Sequence, residues 1–301
     1  MRVLLCWAVL LVLSTAVAGQ YADGGLPVFD DVPKALSAPE SARQLNLRDQ
    51  ELFSLPVGTE QLTELTFLNL MGNHLENWDP VLSELRDLQT LNFRGNGLRE
   101  LPPAVADLKA LVNLDLTENE LKDLPAELGD LTSLQYLRVS NNALVDLDQG
   151  LLGLAQLKTL EAQNNQLSNL PEPKRAWRNL QRLDLGYNQL RSLPDDWSGL
   201  KHLESLNLEF NYLRRLPASF GKLRTLRTLL LAHNELEALP QSLSRLRQLT
   251  LLVLAGNRLR SLPKNLAQWQ NLSTLVLTGN PLSETELARI KAALPNCRVI
   301  H

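Results

Sequence analysis

Cysteine, histidine and aromatic residues are all scarce in this 301-residue chain, and each scarcity removes a class of chemistry. There are only two cysteines, Cys6 and Cys297. Cys6 falls within an apolar N-terminal run, so loss of that run would leave Cys297 alone, with no intramolecular disulfide to form. Four histidines, His74, His202, His233 and His301, are scattered without the local spacing of a metal site. No metal or cofactor is expected. Charge of one sign is also missing, since 30 basic and 33 acidic residues leave a net charge of −3. Such a balance offers no field for attracting nucleic acid. Phosphate loops, dinucleotide-binding glycine patterns and nucleophile elbows are absent, so catalysis is not expected.

Long hydrophobic stretches are missing too, with one exception. Val3 to Leu13 is unbroken and apolar, follows Arg2, and precedes the small-x-small triplet Ala16-Val17-Ala18. That layout reads as a secretory signal peptide over residues 1–18, cut after Ala18, because the run is short for a membrane-spanning helix. Integral membrane association is therefore not expected, and the place of action is expected to be secreted or periplasmic.

What the chain has is leucine, roughly a quarter of all residues, a bias that calls for a search for repeats. From residue 42 to 282 the sequence repeats eleven times with a period of 23 and no insertion, starting at Ala42, Leu65, Leu88 and so on to Leu272. The unit is clear in Leu111-Val-Asn-Leu114-Asp-Leu116-Thr-Glu-Asn119-Glu-Leu121-Lys-Asp-Leu124-Pro125. Leucines at positions one, four and six suit a short strand with one buried face. Position nine is Asn in ten repeats, from Asn73 to Asn280, and Gln50 in the first. A polar residue beside a leucine core must be hydrogen-bonded there, so these amides are expected to bond backbone groups of adjacent coils. The Leu-Pro step, as in Leu193-Pro194 and Leu239-Pro240, ends the turn and fixes the return segment.

This 23-residue pattern resembles the leucine-rich-repeat family, in its class with a Leu-Pro step on the convex side. The resemblance implies an α/β solenoid, a horseshoe with a parallel concave β-sheet, irregular or short helical convex segments and helical end caps. It also implies binding rather than catalysis. Animal extracellular members usually carry disulfide-bonded caps, which this chain cannot form, so the resemblance favours bacterial exported members. A stack of such coils exposes apolar surface at both ends and needs caps. Residues 19–41 are read as the N-terminal cap, with a short helix from Asp31 ended by Pro39. Residues 283–301 are read as a C-terminal cap helix and tail, opened by a capping box at Ser283-Glu-Thr-Glu286. Cys297 and Trp177 are expected to pack inward.

Positions three, five, seven and eight should point out of the concave sheet. Position eight carries Tyr187, Phe210 and His233 in three consecutive repeats. Tyr136, Arg138, Glu161, Arg182, Asp184 and Glu209 lie in neighbouring columns, and aromatic and Arg residues gathered on a rigid surface have the composition of a binding hot spot. A second, apolar patch comprises Leu230, Leu251, Val253 and Val276, expected to be exposed and to serve a partner or a second copy of the chain. The function expected from these columns is a non-enzymatic scaffold that holds a protein or peptide on its concave face. A carbohydrate or cell-envelope binder, stacking sugar rings on Tyr187 and Phe210, is the alternative.

Overall fold

The structure, a computed structural model, describes residues 25–147, 149–173 and 176–301. The expected signal peptide lies outside the described residues. Among the described residues no helix is long and apolar enough to cross a membrane.

One open sheet of thirteen parallel strands runs through the described residues, and sequence order is spatial order throughout. After β1 (Val28–Phe29) come β2 (Gln44–Asn46), β3 (Phe67–Asn69), β4 (Thr90–Asn92) and β5 (Asn113–Asp115). The middle of the sheet holds β6 (Tyr136–Arg138), β7 (Thr159–Glu161), β8 (Arg182–Asp184) and β9 (Ser205–Asn207). It ends with β10 (Thr228–Leu230), β11 (Leu251–Val253), β12 (Thr274–Val276) and β13 (Arg298–Ile300). From β2 to β12 each strand pairs with the residues 23 positions on, so every sequence column becomes a straight row across the sheet. The leucines at positions one, four and six form one continuous core beneath that sheet, as in Leu203, Leu206 and Leu208, which are fully buried. No single coil could enclose its own leucines, so stability resides in the interfaces between coils.

The asparagine column closes those interfaces. Asn211 donates through Nδ2 to the carbonyls of Leu185 (3.0 Å) and Leu208 (3.2 Å), while its Oδ1 accepts the Leu190 amide (3.0 Å). Leu185 belongs to the preceding coil and Leu208 to the same one, so the side chain stitches two turns together. Gln50, which has no complete coil before it, sends Nε2 to the Asp30 carbonyl at 2.8 Å instead.

On the convex side the Leu-Pro step leads into short 3-10 turns such as Ala218–Lys222 and Gln241–Arg245, each preceded by a proline at φ near −64°. Trp177 is buried as expected, and its Nε1 donates to the Leu151 carbonyl of the preceding coil at 3.0 Å.

Both ends are covered. At the front α1 (Val32–Leu36) starts at Asp31, whose carboxylate accepts the Lys34 amide at 2.7 Å, and Pro39 opens a further 3-10 turn. At the back α3 (Glu284–Ala293), which follows α2 (Pro80–Glu84), buries Ile290 and is followed by β13 on the sheet edge. The capping box forms only by half. Ser283 accepts the Glu286 amide at 3.1 Å, but Glu286 reaches away to the Leu262 amide (2.8 Å) and to Arg289. That carboxylate is worth more tying the cap to the last coils than closing the first turn of its own helix, because it joins two elements. Cys297 is half-buried against the core, and burial pushes its thiol pKa up.

Candidate functional site

Position five of the repeat sits at the end of each strand on the concave face. The pairing register lines up Arg138, Glu161, Asp184, Asn207, Leu230, Val253 and Val276 as one row. The row changes character along its length, from charged to apolar.

At its charged end the Arg138 Nε lies 3.3 Å from Glu161 Oε2, and its guanidinium carbon is 6.0 Å from the Tyr136 ring centroid. Asp184 Oδ1 accepts the Gly186 amide (3.1 Å) and the Asn207 Nδ2 (2.9 Å). Burial pushes the Asp184 carboxyl up to about 6, and the neighbouring Glu161 charge adds to that, against the two hydrogen bonds and Arg182. Glu209, in the adjoining position-seven row, is pushed up to about 7 by burial and then by the Asp184 charge. Five of the expected residues, Arg138, Glu161, Arg182, Asp184 and Glu209, thus form one electrostatic group, with Tyr136 at its edge.

The position-eight residues Tyr187, Phe210 and His233 form a continuous stack. Tyr187 and Phe210 have ring centroids 4.2 Å apart with 13° between planes, and Phe210 and His233 are 4.3 Å apart at 18°. Tyr187 is 52% exposed. Their backbone is unusual, since φ is +54°, +53° and +54° respectively. Such left-handed geometry costs an L residue roughly 1–2 kcal/mol, and glycine or asparagine adopts it most readily. The same column holds Asp49, Gly72, Gly95, Glu118, Asn141, Asn164, Gly256 and Gly279, all at positive φ. Those glycines and asparagines were the signal, available in the sequence, that this column is a tight left-handed turn.

Stacking occupies both faces of Phe210 and one face each of Tyr187 and His233. Phe210 lies between two rings, and beyond His233 stands Gly256, where an added Cβ would sit 2.8 Å from His233 Nδ1. The rings thus cover both faces of Phe210, while Tyr187, at the end of the stack, has a ring on one face only. Gly256→Ala is expected to cost about 1–2 kcal/mol through left-handed strain and to push His233 off Phe210. Thermal melts and the ring proton shifts of His233 check this; an unmoved ring would refute the contact.

The apolar end departs from expectation in one respect. Leu230, Leu251, Val253 and Val276 do cluster, together with Ala232 and Ala255 and apart from the main core. They are not openly exposed, however: Leu230 retains 2% and Val253 8% of its surface, while Leu251 and Val276 are half-buried. Parallel strands bring same-column side chains within contact of one another, and the flanking alanines complete the cover. The surface there is a smooth apolar floor rather than a protruding patch.

Asn207 and Gly256 belong to the site although their columns did not single them out. Asn207 bridges Asp184, and Gly256 makes room for His233. Among the described residues no group of three or more His, Cys, Asp or Glu side chains is placed to hold a metal ion.

With this geometry in hand, the comparisons with known proteins decide the family. The description "Leucine-rich repeat region" matches residues 43–161, and "Leucine rich repeat" matches residues 178–236. The chain belongs to the leucine-rich-repeat family. No curated protein matches it. Among solved structures it is similar to a plant peptide hormone receptor, RGFR1 in complex with RGF2, at 26% identity and TM-score 0.72, covering 82% of this chain and 41% of that one. It is also similar to the functional domain of InlJ from Listeria monocytogenes, at 25% identity and TM-score 0.73, covering 87% of this chain and 54% of that one. A third is PEPR1 with AtPEP1, at 27% identity and TM-score 0.63, covering 79% of this chain and 38% of that one. This leucine-rich-repeat chain thus spans about half or less of the length of these structures.

Proposed function

We propose that this protein is a non-enzymatic scaffold that binds a protein or peptide partner on its concave face, between β6 and β12. The observation that carries the reading is the run Tyr187, Phe210, His233 in left-handed backbone. In that column four repeats use glycine, two asparagine and two an acidic residue, Asp49 and Glu118, so the solenoid does not require rings there. Strain kept without a structural need points to a functional one. The rings lie beside the charged and apolar row, on a rigid sheet, in the arrangement that concentrates binding energy in a few anchors. One of the similar structures named above is described as a plant peptide hormone receptor in complex with RGF2, which agrees in kind with this reading. The proposed place of action is secreted or periplasmic, supported by the pattern of Arg2, Val3–Leu13 and Ala16–Ala18.

The test uses Tyr187→Asn with Phe210→Asn, because asparagine already occupies this column at Asn141 and Asn164 and should leave the fold intact. A partner retained by the wild-type protein should bind the double variant at least about tenfold more weakly, a change of roughly 1.4 kcal/mol. Retention measured by quantitative mass spectrometry, beside matched circular dichroism melts, reads this out. An authenticated partner held equally by both proteins would remove the concave site.

A further inference from the structure

The concave row is unbalanced in a way that specifies its occupant. Arg138 is committed to Glu161, and Arg182 acts on Asp184. Glu209 is left over: no described residue donates a hydrogen bond or an ion pair to its carboxylate, and burial and the Asp184 charge both disfavour its ionised form. In its own row it is flanked by Gly186 and Ala232, which have no side chain able to reach it. The group missing beside Glu209 is a cation. A second, independent deficit lies at Arg138, which is about nine-tenths buried and has an Nη1 with no hydrogen-bond partner. A buried N–H left unpaired is costly, and a main-chain carbonyl from an occupant would satisfy it. Beyond Asn207 the same row turns into Leu230, Val253 and Val276, where only apolar groups are accommodated without loss.

We propose that the occupant is an extended peptide segment carrying a lysine or arginine beside apolar residues. Its cationic group pairs with Glu209 and Asp184, and its apolar side chains lie across Leu251, Val253 and Val276. The inference rests on the concave-face reading above and narrows it to one ligand chemistry. Six inter-strand steps separate β6 from β12, about 29 Å at ~4.8 Å each, which an extended chain crosses in about nine residues. The groups facing the incoming cation are Glu161 from β7, Arg182 and Asp184 from β8, Glu209 after β9, and Tyr187, Phe210 and His233 along the rim. Arg138 stands one strand beyond Glu161 and meets the backbone of the peptide rather than its cation. Glu209 and Asp184 must be ionised to make the pair, so binding strengthens as pH rises from 6 to 8, and the peptide lowers both pKa values.

The experiment pans a phage library of random nonapeptides over the full-length protein at pH 8. Enriched sequences are then synthesised for fluorescence anisotropy against the wild type, Glu209→Gln, Val253→Thr and Tyr187→Asn/Phe210→Asn. Glu209→Gln keeps the shape and removes only the charge, and melting curves confirm that each variant is folded. The expected result is a lysine or arginine within about two positions of apolar residues, with affinity lowered tenfold or more by Glu209→Gln and severalfold by Val253→Thr. The wild-type advantage over Glu209→Gln should widen between pH 6 and pH 8. Peptides that depend on Tyr187 and Phe210 but lack a basic residue, or ignore Glu209→Gln, overturn the cationic occupant and leave the concave site standing. Peptides indifferent to all three variants, or no enrichment above an unselected control, overturn both.

Discussion

Asn211→Ala should lower the free energy of unfolding by about 2–4 kcal/mol. The two carbonyls that Asn211 serves are not orphaned, because each has a second asparagine. Leu185 O is also reached by Asn188 (3.1 Å), and Leu208 O by Asn234 (2.8 Å). The Leu190 amide is different: Asn211 Oδ1, at 3.0 Å, is the acceptor the structure gives it, and Leu190 is fully buried. One orphaned buried N–H costs roughly 1–3 kcal/mol, and the lost amide bonds and the void add the rest. Asn211→Asp should be worse at neutral pH, since it sets a carboxylate against the Leu185, Leu208 and Glu209 carbonyls that Asn211 Nδ2 now satisfies. Urea unfolding followed by circular dichroism gives the number. A repeat array is stabilised by nearest-neighbour interfaces, so the loss should also appear as amide exchange in the coils on either side of Asn211. A cost below about 1 kcal/mol would mean that the ladder is not what joins the coils.

That ladder was legible in the sequence because burial of a repeated amide beside leucine admits one physical solution. The 23-residue register was equally legible: a fixed period forces each column into a row. Features that depend on two residues meeting across coils were not. Glu286 looked like a local helix cap, since Ser283 stands three residues before it, and only the folded cap shows that the Leu262 amide competes for it. Leu230 and Val253 looked exposed because alternation points them outward. Their near-complete burial follows from the alanines beside them, a packing outcome that a column pattern does not contain. The aromatic column was found for its composition, while its left-handed backbone was overlooked. Reading Gly72, Gly95, Asn141 and Asn164 as one conformational constraint, rather than as four unremarkable residues, would have exposed it. Partner chemistry lies furthest from the sequence. It depends on which charges are already paired, as Arg138 is with Glu161, and which are left over, as Glu209 is.

The left-over charges also set how stability should follow pH. Asp184 rises from its ordinary 3.8 to about 6, and Glu209 from 4.5 to about 7, both chiefly through burial. A carboxyl raised in the folded state holds its proton more tightly there than in the unfolded chain. Folding is therefore unpenalised below about pH 4, where both states are protonated, and is progressively opposed as pH rises through the folded values. Above pH 7 the full cost is present. For Glu209 it reaches about 3 kcal/mol at most, and solvent around a half-buried carboxylate reduces this to ~1–2 kcal/mol. Glu286 has the opposite sign: its hydrogen bond to Arg289 holds it below the usual carboxylate range, so its contribution is lost only as pH falls below about 4. Between pH 5 and pH 8 the concave pair thus sets the slope of the carboxylate contribution, which falls with rising pH. Glu209→Gln should flatten much of that slope, leaving stability at pH 5 nearly unchanged and raising it at pH 8. Asp184→Asn should act in the same direction over a window about one pH unit lower. Because the two carboxylates interact, the double variant should gain less than the sum of the singles. Urea midpoints at unit pH intervals decide the matter. If Glu209→Gln is no more stable than wild type at pH 8, the carboxylate is not an unpaired buried charge, and the cationic occupant loses the electrostatic deficit on which it was argued.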